Sequence, residues 1–315
     1  MDVLLSAAAY ERFWDRVLQV VPQARAIRLE AGGDFVGGEP TSATVAWFTD
    51  DLYYDDLARR FFGALVRDPA LAWLQSSAAG HDDPVFGRIR SGGARLTSAH
   101  VNAIPIAEHV IRTVIDHRHG AARWRAAQRE HRWDGGPHDE VSGSTWAIVG
   151  LGSIGRAVAH LAGALGVGLR GVRRRPSIDD PVPSVTPDRV HDALRGADVV
   201  VLCTPLNAST AGLADDRFFG AMAPGSLFVN VGRGGLVDED ALVRGLDRGA
   251  PGAAALDVFV TEPLPPGHPF WDDERIEVTP HIAGSSTGNA ERLCDLFCAN
   301  LAAYVEGRPL AHEVL

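Results

Sequence analysis

Three polar residues in the second half of the chain stand just past short apolar runs, and their chemistries complement one another. Arg233 lies in Asn230-Val231-Gly232-Arg233-Gly234-Gly235, Glu262 follows Leu256-Asp257-Val258-Phe259, and His281 follows Val278-Thr279-Pro280. A histidine can give a proton to a developing alkoxide, a carboxylate can hold its imidazole in the donating form, and a guanidinium fork fits a carboxylate. With a hydride donor added, these groups meet the needs of reducing a 2-oxo acid. Each residue alone has a plain reading: an arginine capping its turn, a surface glutamate, a core histidine. All three at strand ends, where open parallel sheets hold their ligands, favour the joint reading.

The hydride donor has a candidate site upstream. Gly150-Leu151-Gly152-Ser153-Ile154-Gly155 follows the apolar run 146–149 directly and opens a helical pattern, the context that gives a glycine-rich string meaning. Gly150 permits a tight turn, Gly152 lets backbone approach a pyrophosphate, and Gly155 lets the helix pack on the sheet. The N–H groups at the helix start, at Ser153 and Ile154, favour the anion. At the end of the next strand, where NAD-binding chains place an acid for the ribose 2′-OH, this sequence has Arg173, Arg174 and Arg175. Arginine forks there suit the 2′-phosphate of NADP, so NADPH is the expected cofactor, with NAD as the second choice.

The elements that must position these groups alternate strand and helix. Strands are expected over 3–5, 26–29, 44–48 and 71–75 with helices over 10–20 and 57–66. An amphipathic helix over 103–115 leads to a second series: strands at 145–149, 168–172, 198–203, 227–230, 253–256 and 276–279, and a helix over 154–165. The proline-rich stretch 176–187 reads as an exposed connection, and the run 290–306 as a terminal helix. The fold class is therefore α/β, with doubly wound parallel sheets, and 315 residues suit about two domains. A formal charge of −10 argues against nucleic-acid binding, even for the basic stretch 118–133 with Trp124 and Trp133. No apolar run spans a bilayer, and the acid at Asp2 disfavours a signal peptide. Cys203, Cys294 and Cys298 read as packing residues in a reducing compartment, the cytoplasm, with no metal site.

From 102–109 (Asn-Ala-Ile-Pro-Ile-Ala-Glu-His) through the glycine turn, Cys203-Thr204-Pro205-Leu206, the Arg233 turn, Asp257 and Glu262 to His281-Ile282-Ala283-Gly284, the chain resembles the D-isomer-specific 2-hydroxyacid dehydrogenase family. The glyoxylate/hydroxypyruvate reductase branch is the nearest in pattern. The resemblance implies two Rossmann-like domains, a dinucleotide-binding domain (101–284) inserted in a smaller flavodoxin-like substrate domain (1–100 and 285–315). It implies a substrate-binding Arg233, an acid/base His281 paired with Glu262, Asp257 near the nicotinamide carboxamide, and Thr204-Pro205 beside the cofactor. It also places the substrate carboxylate on backbone N–H groups around Ala79 and Gly80, in the segment Ser77-Ala78-Ala79-Gly80-His81-Asp82, and implies a homodimer. The departure is Arg173, which puts NAD preference in doubt. Within the same fold, an aromatic oxo acid, formate or phosphonate could be the substrate, and a dinucleotide-sensing corepressor is the non-enzymatic alternative.

Overall fold

The structure, a computed structural model, describes residues 1–54, 57–78, 80 and 83–314. The chain forms two compact units, Met1–Asn102 with Ser286–Leu315, and Ala103–Ser285.

In the first unit β1 (Asp2–Ser6), α1 (Ala7–Val20), β2 (Arg25–Leu29), β3 (Phe35–Val36), β4 (Val45–Phe48), α2 (Asp51–Tyr54), α3 (Ala58–Leu65), β5 (Trp73–Ser76), α4 (Pro84–Ser91) and β6 (Arg95–Thr97) follow in order. The sheet runs β3-β2-β1-β4-β5-β6, parallel except for β3, which turns back antiparallel on β2. Helix α1 begins three residues earlier than its apolar pattern predicts because Ser6 Oγ accepts the N–H of Ala9 at 3.0 Å and caps it. Period-two alternation sends Leu4, Ala46, Phe48 and Leu74 to one face and Val3, Leu5, Val45, Trp47 and Trp73 to the other. The second face is covered by α1 and by the terminal helix of the chain, Asn289–Val305, whose Phe297 stacks on Trp47 at 4.4 Å between ring centroids. A buried polar knot fixes that helix. Gln75 Oε1 accepts from Thr97 Oγ1 and from Asn300 Nδ2, each at 2.9 Å, and Asn300 Oδ1 accepts the N–H of Ala311.

The second unit opens with α5 (Ala103–His119) and α6 (Ala121–Arg129). There follow β7 (Thr145–Val149), α7 (Ser153–Ala164), β8 (Gly168–Val172), β9 (Ser184–Val185), α8 (Val190–Leu194), β10 (Val199–Leu202), α9 (Asp216–Ala221), β11 (Leu227–Asn230), α10 (Glu239–Asp247), β12 (Ala253–Leu256) and β13 (Ile276–Val278). Its sheet is wholly parallel in the order β13-β12-β11-β10-β7-β8-β9, with the order reversing between β7 and β10. Helices cover both faces, as the unbroken apolar strands require: Val199, Val201 and Val229 meet α5 and α7, while Val200, Phe228 and Leu256 meet α9 and α10. One line of register crosses the sheet through Val185, Val172, Val149, Leu202, Asn230, Leu256 and Val278. The segments expected to do chemistry therefore all leave the sheet along one carboxyl edge. The expectation of an exposed connection over 176–187 needs correcting. Val182 is buried and Ser184–Val185 pair with β8 as β9, because the edge of β8 would otherwise show unpaired N–H and C=O groups to solvent.

Candidate functional site

The glycine turn sits where the strand order reverses. Gly150 has φ 111°, and a Cβ there would lie 2.8 Å from the Thr204 nitrogen; a Cβ on Gly155 would lie 2.0 Å from the Gly150 oxygen. Both glycines are demanded by the chain itself, one by the approach of the β10 end and the other by the seating of α7. Gly152 differs. Its φ of −80° suits any residue, and a Cβ would meet nothing within 4 Å. It caps α7 without a side chain, so space is open over the turn at the start of that helix, beside Ser153 and Ile154. An anion-bearing ligand that needs backbone contact would fill that space.

Along the same edge, adjacent loops are brought together by absent side chains. A Cβ on Gly232 would lie 3.1 Å from the Thr204 oxygen, and one on Gly234 would lie 1.8 Å from the carbonyl carbon of Phe259. The Arg233 turn is thus pressed between the Thr204-Pro205 loop and the segment leading to Glu262. Asn230 braces it, accepting the N–H of Gly232 at 3.0 Å and donating to the Arg233 carbonyl at 3.1 Å. The guanidinium donates through Nη1 to the Gly232 carbonyl at 2.8 Å, which bends the side chain back over its own turn.

Glu262 and His281 meet directly. Glu262 Oε1 accepts the N–H of Phe259 at 2.9 Å, and Oε2 lies 2.7 Å from His281 Nδ1. Held through Nδ1, the ring has no partner for Nε2 among the described residues, and its side chain is 52% exposed. The histidine backbone is in the left-handed region at φ 53°, uncommon for a residue with a side chain. Asp257 holds it there. The Asp257 carbonyl accepts the N–H of His281 at 2.8 Å, while its buried carboxylate accepts from Thr279 Oγ1 at 2.6 Å and from the N–H groups of Ile282 and Ala283, each at 3.0 Å. Asp257 thus clasps the His281 loop, a task that its spacing in the sequence did not reveal. It also faces His109 on α5, whose imidazole is pushed below its ordinary range mainly by burial, against the pull of the Asp257 carboxylate.

Arg173 leaves the end of β8 as expected, but it is engaged: its guanidinium donates to Asp180, with Arg156 donating to the same carboxylate oxygen at 3.4 Å. Arg174 is exposed and has no ion pair among the described residues. Asp180 and Arg156 were missed by sequence reasoning, and the one available signal was an acid within the stretch after three arginines. Gly80 belongs to the first unit, and Ala79, like His81 and Asp82, lies outside the described residues. Among the described residues no cluster of three His, Cys, Asp or Glu side chains is placed to hold a metal ion. Cys294 is buried and its sulfur lies 3.9 Å from that of Cys298, without a disulfide. No described helix is long and apolar enough to cross a membrane.

Residues 111–283 match the model of the D-isomer specific 2-hydroxyacid dehydrogenase NAD binding domain. The glyoxylate/hydroxypyruvate reductase A of Serratia proteamaculans (strain 568) is 34% identical over 192 residues, which amount to 61% of this chain and 61% of that protein. The aligned stretch is therefore less than two thirds of that relative's length. A D-isomer specific 2-hydroxyacid dehydrogenase from Xanthobacter autotrophicus Py2, solved in complex with NADPH and MES, has a TM-score of 0.82 at 27% identity, covering 100% of this chain and 97% of that one. A D-isomer specific 2-hydroxyacid dehydrogenase family protein from Aeromonas salmonicida subsp. salmonicida A449 has a TM-score of 0.86 at 26% identity, covering 100% and 98%. With the family model matching more than half of the chain, over the part that carries the glycine turn, the Arg233 turn, Glu262 and His281, the protein belongs to the D-isomer-specific 2-hydroxyacid dehydrogenases.

Proposed function

We propose that the protein is an oxidoreductase that reduces a small 2-oxo acid of the glyoxylate or hydroxypyruvate kind to its D-2-hydroxy acid, with NADPH preferred over NADH. The observation that carries this reading is the His281–Glu262 pair, with Nδ1 held at 2.7 Å and Nε2 left for a substrate, on the carboxyl edge that also bears the glycine turn. The dinucleotide fits: the open space over Gly152 is the cradle that a side chain would fill, and Ser153, Ile154, Thr204, Pro205, Asp257, Arg173 and Arg174 lie on or beside the same edge. When bound it supplies the hydride. His281 would donate its Nε2 proton to the carbonyl oxygen as negative charge develops, Glu262 holding the ring in the geometry and tautomer that allow this. Arg233 would straighten from its own turn to take the substrate carboxylate with its planar fork. In this reading Ala103–Ser285 is the dinucleotide-binding domain and the remainder the substrate domain. The relative named a glyoxylate/hydroxypyruvate reductase supports the choice of substrate, and the NADPH complex of the Xanthobacter protein supports the cofactor.

The functional form would be a homodimer in the reducing cytoplasm. An apolar groove between α5 and α7, lined by Ile111, Ile115, Leu161 and Leu165, supports pairing, as does Trp133 at 98% exposure. The test is oxidation of NADPH and NADH by the full chain against glyoxylate, hydroxypyruvate, pyruvate and phenylpyruvate. We expect turnover of the first two acids with NADPH, and a loss of ~10²–10⁴-fold in His281→Ala with NADPH binding kept. Absence of turnover with all four, or wild-type rates in His281→Ala, would overturn the proposal.

A further inference from the structure

We infer that Asp180 is a positioning residue for cofactor choice, its buried carboxylate fixing Arg173 and Arg156 as a two-arginine clamp for a phosphate on the adenosine ribose. The inference rests on the NADPH-linked reading above and deepens it. Asp180 has a side chain only 1% exposed, and both of its oxygens are fully committed. Oδ1 accepts from Arg173 Nη1 and Arg156 Nη2, and Oδ2 accepts the N–H of Ser177 at 2.9 Å and the hydroxyl of Ser184 at 2.6 Å. A carboxylate offers about four lone-pair sites, so Asp180 has no capacity left for a ribose hydroxyl. It therefore does not replace the acid that NAD-binding chains carry after the second strand, although it lies only seven residues past Arg173.

What the carboxylate does is turned toward the arginines. Two guanidinium groups drawn to one oxygen would repel each other without the charge between them, and neither side chain would otherwise keep a fixed place. Asp180 holds them from beneath while their side chains remain 29% and 46% exposed, for Arg173 and Arg156 respectively. Each guanidinium has five N–H donors, and Asp180 is the one carboxylate that engages either of them among the described residues, so most donors stay available to an anion from outside. The clamp is also in the right place. Arg156 is in the first turn of α7, one residue past Gly155, and Arg173 follows Val172, whose carbonyl accepts the N–H of Gly150 at 2.9 Å. The two arginines therefore flank the glycine turn on the side of β8, where the adenosine half of a dinucleotide lies when its pyrophosphate rests on α7. The hydrogen bonds from Ser184 and Ser177, with the pairing to Arg173, hold the Asp180 carboxyl down to about 2, so it is ionised throughout the neutral range.

The experiment compares steady-state kinetics with NADPH and NADH for the wild type, Asp180→Asn, Arg156→Ala, Arg173→Ala and the Asp180→Asn/Arg173→Ala double variant. The readout is the ratio of kcat/KM for the two cofactors, with competition by 2′-AMP and by inorganic phosphate measured in parallel. We expect Asp180→Asn and Arg156→Ala each to lower the NADPH:NADH ratio by about tenfold through the KM for NADPH, and to weaken 2′-AMP more than inorganic phosphate. Asp180→Asn should add less to Arg173→Ala than it costs alone, because part of its effect passes through that residue and only the hold on Arg156 is left to lose. Ser184→Ala, which keeps the charge and removes one anchor, should move the ratio the same way by less. A ratio unchanged or raised in Asp180→Asn, an equal loss with both cofactors, or full additivity in the double variant would overturn the role of Asp180. A wild type without preference for NADPH would overturn both this inference and the cofactor reading, whereas a wild-type preference that Asp180→Asn preserves would overturn this inference alone.

Discussion

Gly152→Ala separates the two reasons for which a glycine turn can carry glycines. At Gly152, φ is −80° and ψ −158°, and an added Cβ meets nothing within 4 Å, so the folded chain loses no contact and takes on no backbone strain. Alanine at a compatible backbone gains roughly 0.4–1 kcal/mol by restricting the unfolded chain, and alanine as a helix cap loses a similar few tenths to one. These offset, so the melting temperature should stay within about 4 °C of wild type. Binding should respond differently. A methyl group in the space above the α7 N–H groups holds a pyrophosphate away from at least one charge-assisted hydrogen bond worth roughly 1.5–3 kcal/mol, or about tenfold to a hundredfold in Kd. Gly155→Ala is the internal control, because its Cβ would stand 2.0 Å from the Gly150 oxygen and the helix would have to move about 1 Å off the sheet. That variant should melt several degrees lower before any ligand is added. Thermal melts and NADPH fluorescence titration measure both quantities. If Gly152→Ala binds NADPH like wild type, the space over Gly152 is not where the cofactor meets the backbone. If it unfolds, the distinction between the glycines is mistaken.

Arg233→Lys keeps the charge but loses the fork, and kcat/KM for the oxo acid should fall roughly tenfold to a hundredfold at unchanged melting temperature; unaltered kinetics would leave Arg233 as a brace for its own turn. His109 and His117 are both held below their ordinary 6.5, mainly by burial. The unfolded chain thus binds protons at a higher pH than the folded one, and stability present above 6.5 is lost as pH falls below it. Urea melts of wild type and His109→Gln/His117→Gln between about pH 7.5 and 5 should show a shallower decline in the variant, and parallel declines would refute the assignment. Phe297→Ala, which removes the ring stacked on Trp47 and Trp73, should cost about 3–5 kcal/mol in the unit that contains it, measured by chemical denaturation.

The sequence carried the parallel α/β architecture because its strands are apolar runs between helix-length amphipathic segments, and both sheets follow from that alternation. It did not carry β3, β6 or β9. These hold two or three residues each and lie at or next to sheet edges, where hydrogen bonding to a neighbour defines the strand and no periodicity can appear. For the candidate site, the residue types of Arg233, Glu262 and His281 were legible, and their placement after apolar strands implied one shared edge. The clasp made by Asp257 was not, since it depends on three donors 22 to 26 residues away. Nor was the engagement of Arg173: an aspartate among prolines looks like any solvent-facing turn residue, and only the path of the loop back to β9 brings Asp180 under the guanidinium.

The dependence of the first unit on the terminal helix has a consequence during synthesis. Trp47 and Phe297 stack across 250 residues of chain, and at about 5–20 residues per second the ribosome delivers the second ring roughly 10–50 s after the first. The intervening Ala103–Ser285 contains all of its own strands and both of its core layers, and it can be completed while the first sheet still shows the tryptophans that α11, the helix Asn289–Val305, will cover. The first sheet is thus finished only after the unit that follows it in the chain, and its aromatic surface stays uncovered for as long as the 250 residues between Trp47 and Phe297 take to be made.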